Sequence, residues 1–385
     1  MTTPAPGKPI AAIDLVRFAC AAMVMAYHYL TVFPLASASA LRAAGSRVAL
    51  PTDLAGSTWF GWVGVDLFFV VSGLVIARSA VGASPRVFLR RRVLRLAPAA
   101  WICASIAAVL LLVASNVAPS TVAWRWLQAM LFWPTAQPLD GAYWTLSVEI
   151  AFYLLVAWRL RTGSDARAIE RLGIALAMAS AAFWAAFALA GWDGEAVLDG
   201  LAFRLSLLPY GGCFALGMLI AAIHARGAAP RRLGAVLIAM ASAASAVMVH
   251  AGRFAGVAGL AGQPWLPLAV FGGGVAVIAG ADLVQHPLVR TIGAARLRLI
   301  GLATYPLYLL HQTLGATLIP LLMAAGLAGA TATALTMAIA VALSLVIAHH
   351  AEPIVRPRLA ILIKAAGPRR DPPPDSRRSA FPPAG

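Results

Sequence analysis

Residues 60–78 read FGWVGVDLFFVVSGLVIAR, an apolar run with a single acidic side chain, Asp66, before the closing Arg78. A helix that crosses the hydrocarbon core of a bilayer needs about 20 mostly apolar residues, so this run predicts a membrane span. The composition extends the prediction to the whole chain. Of its 385 residues, 61% are hydrophobic and only 11% are charged, whereas soluble domains carry about 25% charged residues. The chain is therefore predicted to be an all-α, polytopic membrane protein, and soluble, secreted and disordered classes are disfavoured.

The same length criterion gives about ten spans, which together predict a membrane helix bundle. They lie near residues 13–33, 60–78, 96–114, 142–158, 172–190, 201–222, 234–250, 264–281, 299–323 and 328–348. The aromatic stretch Trp124–Trp133 is shorter and is predicted to lie at the membrane interface. We expect residues 1–353 to form the membrane domain, and residues 354–385, which are basic and Pro-rich, to form a disordered cytoplasmic tail.

Arginine is unevenly distributed between the loops, and this predicts the side of the membrane that each loop occupies. The chain carries 30 Lys and Arg against 14 Asp and Glu, a formal net charge of +16. Arginine clusters recur in every second loop, around residues 78–95, 159–171, 226–232 and 290–298. Because basic loops stay on the cytoplasmic side, both termini are predicted to be cytoplasmic. The charge therefore serves orientation in the inner (plasma) membrane, and no nucleic-acid partner is expected.

The cysteines give no sign of a disulfide framework. Cys20, Cys103 and Cys213 lie far apart inside apolar runs. Because no CxxC spacing is present, neither a disulfide framework nor a metal site is predicted. The high alanine and arginine usage is typical of a GC-rich bacterial genome, so a bacterial source is expected.

Two ionisable side chains of the first predicted span lie on one helix face. Arg17 and His28 are eleven residues apart, which corresponds to an angular offset of about 20° and an axial separation of roughly 16 Å. Asp14, three residues before Arg17, is close enough to pair with it. Arg17 is therefore predicted near the inner surface and His28 in the outer half of the bilayer. Each ionisable group inside a span costs at least ~2.5–3.5 kcal/mol on insertion scales, so each needs a reason.

Two carboxylates are predicted at the depth of His28. The helical rise places Asp66 about 9 Å, Glu149 about 12 Å and His28 about 8 Å below the outer boundary. His311 falls near mid-membrane, where it is expected to line the same cavity. A neutral imidazole beside a carboxylate can take a proton from a hydroxyl, with the acid fixing the tautomer. The alternatives are a structural His28 bonded to a backbone carbonyl, and an Asp66 that only pairs with another helix.

Several sequence motifs, in the same order along the chain, carry a resemblance to a known family. They are Arg17-x10-His28, VGVDLFFVVSGLVIA at 63–77, FLRRRVLRLAP at 88–98, YWTLSVEIAFYLL at 143–155, ATYPLYLLHQ at 303–312 and AEP at 351–353. Together they resemble the acyltransferase-3 family of integral membrane O-acyltransferases. The chain departs from the family pattern at Thr145, Ile150 and 304–306, where a serine, a second acid and Ser-Tyr-Ser are usual. Glu149 therefore has no adjacent acidic residue that could take part in the same catalytic role.

The resemblance implies an enzyme that transfers an acyl group, commonly acetyl, from cytoplasmic acyl-CoA to a hydroxyl. Acyl-CoA would be a co-substrate, with no permanently bound cofactor. The acceptor would be a glycan, a lipid-linked glycan or a macrolide-like molecule, and residues 1–353 would form the acyltransferase domain.

The resemblance and the depth estimates together assign roles to individual side chains. His28 is expected to act as general base, with Glu149 orienting it and Asp66 in support; a covalent acyl-histidine is an open alternative. Arginines at the cytoplasmic mouth are expected to bind the CoA phosphates, because a guanidinium donates two parallel hydrogen bonds to phosphate. These arginines are Arg17, Arg92 and Arg95. Other side chains of the motifs are expected to line the cavity, unless they only pack between helices: Ser72, Trp144, Ser147, Tyr153, Tyr305, Tyr308 and His311.

Two other kinds of function remain open at this point. Buried Asp, Glu and His in a helix bundle are also typical of a proton-coupled transporter or exporter. Such proteins commonly have paired halves with interrupted helices, and the chain has no convincing internal symmetry. A scaffold in an envelope-assembly complex is the other alternative, but it would not explain the ionisable side chains predicted at the depth of His28. Dependence on acyl-CoA discriminates the enzyme from both.

Overall fold

The computed structural model describes residues 11–35, 55–115, 117–135, 137–254 and 265–365, and every regular element in these ranges is helical. Besides a short helix at Gly194–Asp199, the helices in chain order are α1 (Ala11–Leu35), α2 (Gly56–Ala80), α3 (Pro85–Ala114), α4 (Pro119–Met130), α5 (Gly141–Arg159), α6 (Ala166–Ala190), α7 (Leu201–Arg226), α8 (Pro230–Gly252), α9 (Trp265–Ala279), α10 (Ala281–Ile292), α11 (Ala294–Ala324) and α12 (Gly329–Lys364). Within the described ranges, nine of them are long and apolar enough to cross a membrane: all except α4, α9 and α10.

The all-α polytopic bundle predicted from the sequence is confirmed. Nine of the predicted spans coincide with the nine long helices, and the tenth, near 264–281, is the bent pair α9–α10. These two helices meet at an angle of 74° next to Gly280. The helix α4 is shorter than any span, and its Trp124 is exposed, as an interfacial helix requires.

The arginine-rich segment before the third span is helical and not a loop. The helix α3 begins at Pro85, about three turns earlier than the sequence predicted, and includes Arg92 and Arg95. Ser84 caps it by accepting a hydrogen bond from the Val87 N–H, and proline is favoured at the first helical position. Both arginines are therefore held on a rigid element.

The proposed boundary of the C-terminal tail at residue 354 is wrong. Residues Glu352–Ala365 continue α12 as a helix after a π-helical turn at Ile347–Ala351. This helix packs on α3, where Arg356 Nε donates to the Leu94 carbonyl at 3.0 Å. Leu359 is buried in this helix, whereas Ile354, Ile361 and Leu362 are exposed. Residues 366–385 of the predicted tail lie outside the described residues.

Loops that the charge pattern assigns to the same side contact one another. At one end, Arg78 pairs with Asp282 at 3.4 Å, and the Gly82 N–H donates to the Ser164 carbonyl at 2.8 Å. At the other end, Asp199 joins Arg204 and Arg253. At the first end, Glu170 also pairs with Arg226 and Arg232. The alternation of loops between two ends thus agrees with the predicted order of the spans.

The centre of the bundle depends on a close approach between α2 and α7. A Cβ atom at Gly73 would collide with the Phe214 carbonyl, and one at Gly217 would collide with the Val70 carbonyl. Small residues allow membrane helices to approach backbone to backbone in this way. On the other side of α2, α1 packs between α2 and α11, and α11 also contacts α3 and α12. The motifs of α1, α2, α3, α5 and α11 therefore meet in one region.

The contact at Gly217 predicts a selective loss of stability. In Gly217→Ala, the added methyl group forces α2 and α7 apart, and overpacking of this kind costs about 1–3 kcal/mol. The thermal unfolding midpoint of the detergent-solubilised protein should fall.

The matched control is Gly234→Ala on α8, where the added Cβ meets no atom within 4 Å. Replacing this exposed helical glycine should leave the midpoint unchanged or raise it slightly. Equal midpoints for the two variants would contradict the proposed packing.

Candidate active site

His28 lies where α1 changes its winding. The helix is regular to Tyr27, and a π-helical turn covers His28–Val32. Such single-turn π segments are rare and occur frequently at functional sites. The His28 ring is half-buried and faces α11, where the centroid of the His311 ring lies 4.9 Å away.

The hydrogen bonds of His311 fix the position of its proton. His311 is fully buried, and its Nδ1 lies 2.7 Å from the Tyr308 carbonyl oxygen. Because a carbonyl oxygen can only accept, Nδ1 carries the proton, and Nε2 of the neutral ring is an acceptor. This Nε2 lies 3.1 Å from His28 Nδ1.

The same reasoning fixes the tautomer of His28. Its Nδ1 faces two acceptors, His311 Nε2 and the Val24 carbonyl oxygen at 2.9 Å, so Nδ1 carries the proton. The opposite nitrogen, Nε2, is therefore an unprotonated base, and the amide nitrogen of Gln312 lies 2.6 Å from it. His28 does bond a backbone carbonyl, as the structural alternative supposed, but it does so through Nδ1, so Nε2 stays unprotonated.

A cavity of about 110 Å³, lined by apolar side chains and by several charged and hydroxyl-bearing ones, lies beside Tyr308, which contacts the ring of His311. It contains all three arginines predicted to bind the donor and five of the other predicted site residues. These residues are Arg17, Arg92, Arg95, Ser72, Glu149, Tyr153, Tyr305 and Tyr308. Tyr308 connects the cavity to the imidazoles, because its ring centroid lies 5.7 Å from that of His311. On the opposite side, Tyr308 packs edge-on against Phe68 of the cavity wall.

Neighbouring groups hold the cavity arginines in place. Arg92 lies over the rings of Phe88 and Tyr153, at 5.5 and 5.9 Å from their centroids. Arg95 pairs at 3.6 Å with Glu352, which is 2% exposed and also pairs with Arg356. The sequence left the role of Glu352 open, and the structure shows it as the countercharge of Arg95.

Glu149 does not orient His28, contrary to the sequence-based hypothesis. Its Oε1 accepts hydrogen bonds from Ser72, at 3.2 Å, and from the Tyr153 hydroxyl, and no hydrogen bond joins it to His28 in the described part of the chain. The depth estimate was insufficient because it fixes height along a helix and not rotation about its axis. Glu149 shares a face of α5 with Thr145 and Tyr153, and this face lines the cavity.

Asp66 is also separate from the cavity. Residues Val65, Phe68, Phe69 and Ser72 form the cavity face of α2, and Asp66 lies off this face. Its side chain is buried against α7, within electrostatic range of Tyr210 and Cys213, and neither carboxyl oxygen has a hydrogen-bond partner among the described residues. The geometry therefore gives Asp66 no direct contact with either His28 or Glu149.

Three residues expected to line the cavity have other positions. Trp144 stacks on Arg204, whose guanidinium carbon lies 4.5 Å from the ring centroid, and Ser147 lines a separate small pocket on the opposite face of α5. His311 lies one helical turn beyond Tyr308, against His28 rather than in the cavity. Glu149 and Ser147 lie on opposite faces of α5, so they cannot line the same cavity, as the sequence had predicted.

Two groups that hold the site were not singled out from the sequence. Gln312 is the last residue of the ATYPLYLLHQ motif. The motif contributed to the family resemblance, but no role was assigned to Gln312 itself. Asp140 precedes the YWTLSVEIAFYLL motif, and its partner Thr313 follows Gln312. The spacing of residues along the chain could not predict the contact between Asp140 and Thr313, because they are far apart in sequence. Within the described residues, no cluster of three or more His, Cys, Asp or Glu side chains could hold a metal ion.

Comparison with known proteins gives one match. A family model described as an acyltransferase domain, that of the acyltransferase-3 family, matches residues 10–349. No curated protein and no solved structure matches the chain significantly. The match extends from the start of α1 into the π-helical turn of α12, and it includes every helix that contributes to the cavity and to the imidazole pair. The chain therefore belongs to the acyltransferase-3 family and is a multi-pass membrane acyltransferase.

Proposed function

We propose that the protein transfers a short acyl group, acetyl in the first instance, from cytoplasmic acyl-CoA to a hydroxyl of a glycan or glycan-like acceptor. The observation that carries the proposal is the unprotonated Nε2 of His28 beside a cavity with three arginines. A base and a phosphate-binding cluster are what O-acyl transfer from CoA requires. The bacterial inner membrane is the location we propose.

The donor would enter at the arginine end of the cavity. Arg17, Arg92 and Arg95 can donate to the diphosphate and the 3′-phosphate of CoA. Glu149 and Glu352 lie beside these arginines, where they limit repulsion between three positive charges in a region of low dielectric. The pantetheine arm would then extend along Tyr305 and Tyr308 towards the imidazole pair.

His28 would act on the acceptor. The acceptor hydroxyl donates its proton to Nε2 while its oxygen attacks the thioester carbonyl carbon. The imidazolium that forms keeps its Nδ1–H bonded to the Val24 carbonyl and to His311 Nε2. The leaving CoA thiolate then takes the proton, which restores the neutral ring.

The assay that tests this function measures free CoA released by the purified protein from acetyl-CoA with a panel of glycan acceptors. In His28→Ala, turnover should fall by about 10²- to 10⁴-fold, because the general base is lost. The control is His286→Ala on α10, an exposed histidine outside the cavity, which should keep wild-type turnover. Near-normal turnover in a well-expressed His28→Ala would refute the role of His28, and no acceptor-dependent CoA release by wild type would refute the function.

The donor cluster has its own test. In Arg92→Ala, the KM for acetyl-CoA should rise roughly tenfold, because a charge-assisted hydrogen bond of about 1.5–3 kcal/mol is lost, with little change in kcat. Arg90→Ala, an exposed arginine on the same helix, should leave the KM unchanged.

The donor S-acetylpantetheine sharpens this measurement. It lacks the nucleotide phosphates, so wild type and Arg92→Ala should use it with similar KM values. A tenfold difference that persists with this donor would show that Arg92 does not act through the phosphates.

A further inference from the structure

The reactive nitrogen of His28 is occupied by an amide. Gln312 Nε2 lies 2.6 Å from His28 Nε2, and it is the one group that forms a hydrogen bond with this nitrogen within the described residues. Since His28 Nε2 is unprotonated, the Gln312 amide N–H is the donor. A donor at this position lies next to the atoms that react.

The loop beside Gln312 has no side chain where the amide group lies. A Cβ atom at Gly141 would collide with Gln312 Oε1, so the absence of a side chain at 141 lets the amide lie against the start of α5. With Oε1 on this side, the NH2 group is turned towards His28. The absence of a side chain at Gly141 therefore leaves the space that the Gln312 amide occupies beside His28.

Asp140 joins the same loop to α11. Its Oδ2 accepts hydrogen bonds from the backbone N–H of Thr313, at 2.8 Å, and from the Thr313 hydroxyl, at 2.6 Å. Its Oδ1 accepts from the Ala142 N–H at 2.8 Å. Asp140 is 3% exposed, and a charge-assisted hydrogen-bond network of this kind is rigid. The helical turn that carries Gln312 is thus fixed to the loop that contains Gly141.

We propose that Gln312 is a catalytic residue that donates its amide N–H to the oxyanion formed at the thioester carbonyl. This inference rests on the proposed acyl transfer. When the acceptor hydroxyl takes the place of the amide at His28 Nε2, the Gln312 N–H loses its partner. The nearest developing charge is then on the thioester carbonyl oxygen, and preorganised donors at such a position are a large source of catalysis.

The step conserves atoms and electrons. The acceptor oxygen forms a bond to the carbonyl carbon, its proton moves to His28 Nε2, and the C=O electron pair moves onto the oxygen held by Gln312. On collapse, the C=O bond re-forms and the C–S bond breaks. The thiolate takes the proton from His28, the ester leaves, and the amide returns to Nε2.

The variant Gln312→Met tests this role because methionine keeps the length of the side chain and removes the N–H. We expect kcat to fall by about 10²- to 10³-fold, the usual cost of one oxyanion donor, with the KM for acetyl-CoA unchanged. Gly141→Ala should lower kcat in the same direction. The double variant should be no slower than Gln312→Met alone, because both changes remove one interaction. Gln137→Met, at an exposed glutamine, is the control.

A dithioester analogue of acetyl-CoA separates an oxyanion donor from a group that only packs against His28. Its thiocarbonyl sulfur accepts hydrogen bonds poorly, so wild type should prefer the ordinary thioester more strongly than Gln312→Met does. If Gln312→Met lowers both rates equally, the inference is overturned. If Gln312→Met does not fold, Gly141→Ala is compared with the two donors in the same way. A wild type without acyl transfer overturns the proposed function, whereas an active wild type with a fully active Gln312→Met overturns only this inference.

Discussion

Two neutral imidazoles that hydrogen bond across the contact between α1 and α11 set the geometry on which the rest of the site depends. In a bundle surrounded by lipid, each buried ring nitrogen needs a partner from the protein, because no bulk water is present to supply one. The Val24 and Tyr308 carbonyls supply two of these partners. Because a carbonyl can only accept, the proton of each ring lies on Nδ1. The close packing of α2 on α7 and of α11 on its neighbours keeps the two rings in register.

The structure also separates groups that the sequence seemed to place in one layer. Glu149 lies in the arginine cavity, Asp66 lies against α7, and His28 lies with His311. A proton-coupled transporter needs protonatable groups within reach of one another, and these three clusters are not joined by hydrogen bonds in the described part of the chain. The arrangement instead places a cavity lined by three arginines near the His28–His311 pair, which suits a group-transfer enzyme.

Hydrophobicity and the length of the apolar runs predicted most of the fold. The three arginines predicted to bind the donor, Arg17, Arg92 and Arg95, do line one cavity. Rotation about the helix axes was not predictable for Glu149, Ser147 and Asp66, because it depends on which neighbour packs against each face. The contact between Asp140 and Thr313 joins residues far apart in sequence, so it needed the three-dimensional structure.

The partners of the imidazole pair have a consequence for the energetics of turnover. No carboxylate hydrogen bonds His28 or His311 within the described ranges, so a protonated ring has no adjacent anion to neutralise it. A lone cation in such surroundings is costly. In the proposed mechanism, this cost would favour rapid transfer of the proton to the departing thiolate. In the proposed transfer, CoA would gain a hydrogen and the acceptor would gain the acyl group, so no net charge would cross the membrane. The reaction would accordingly proceed at the same rate in energised and in depolarised membranes.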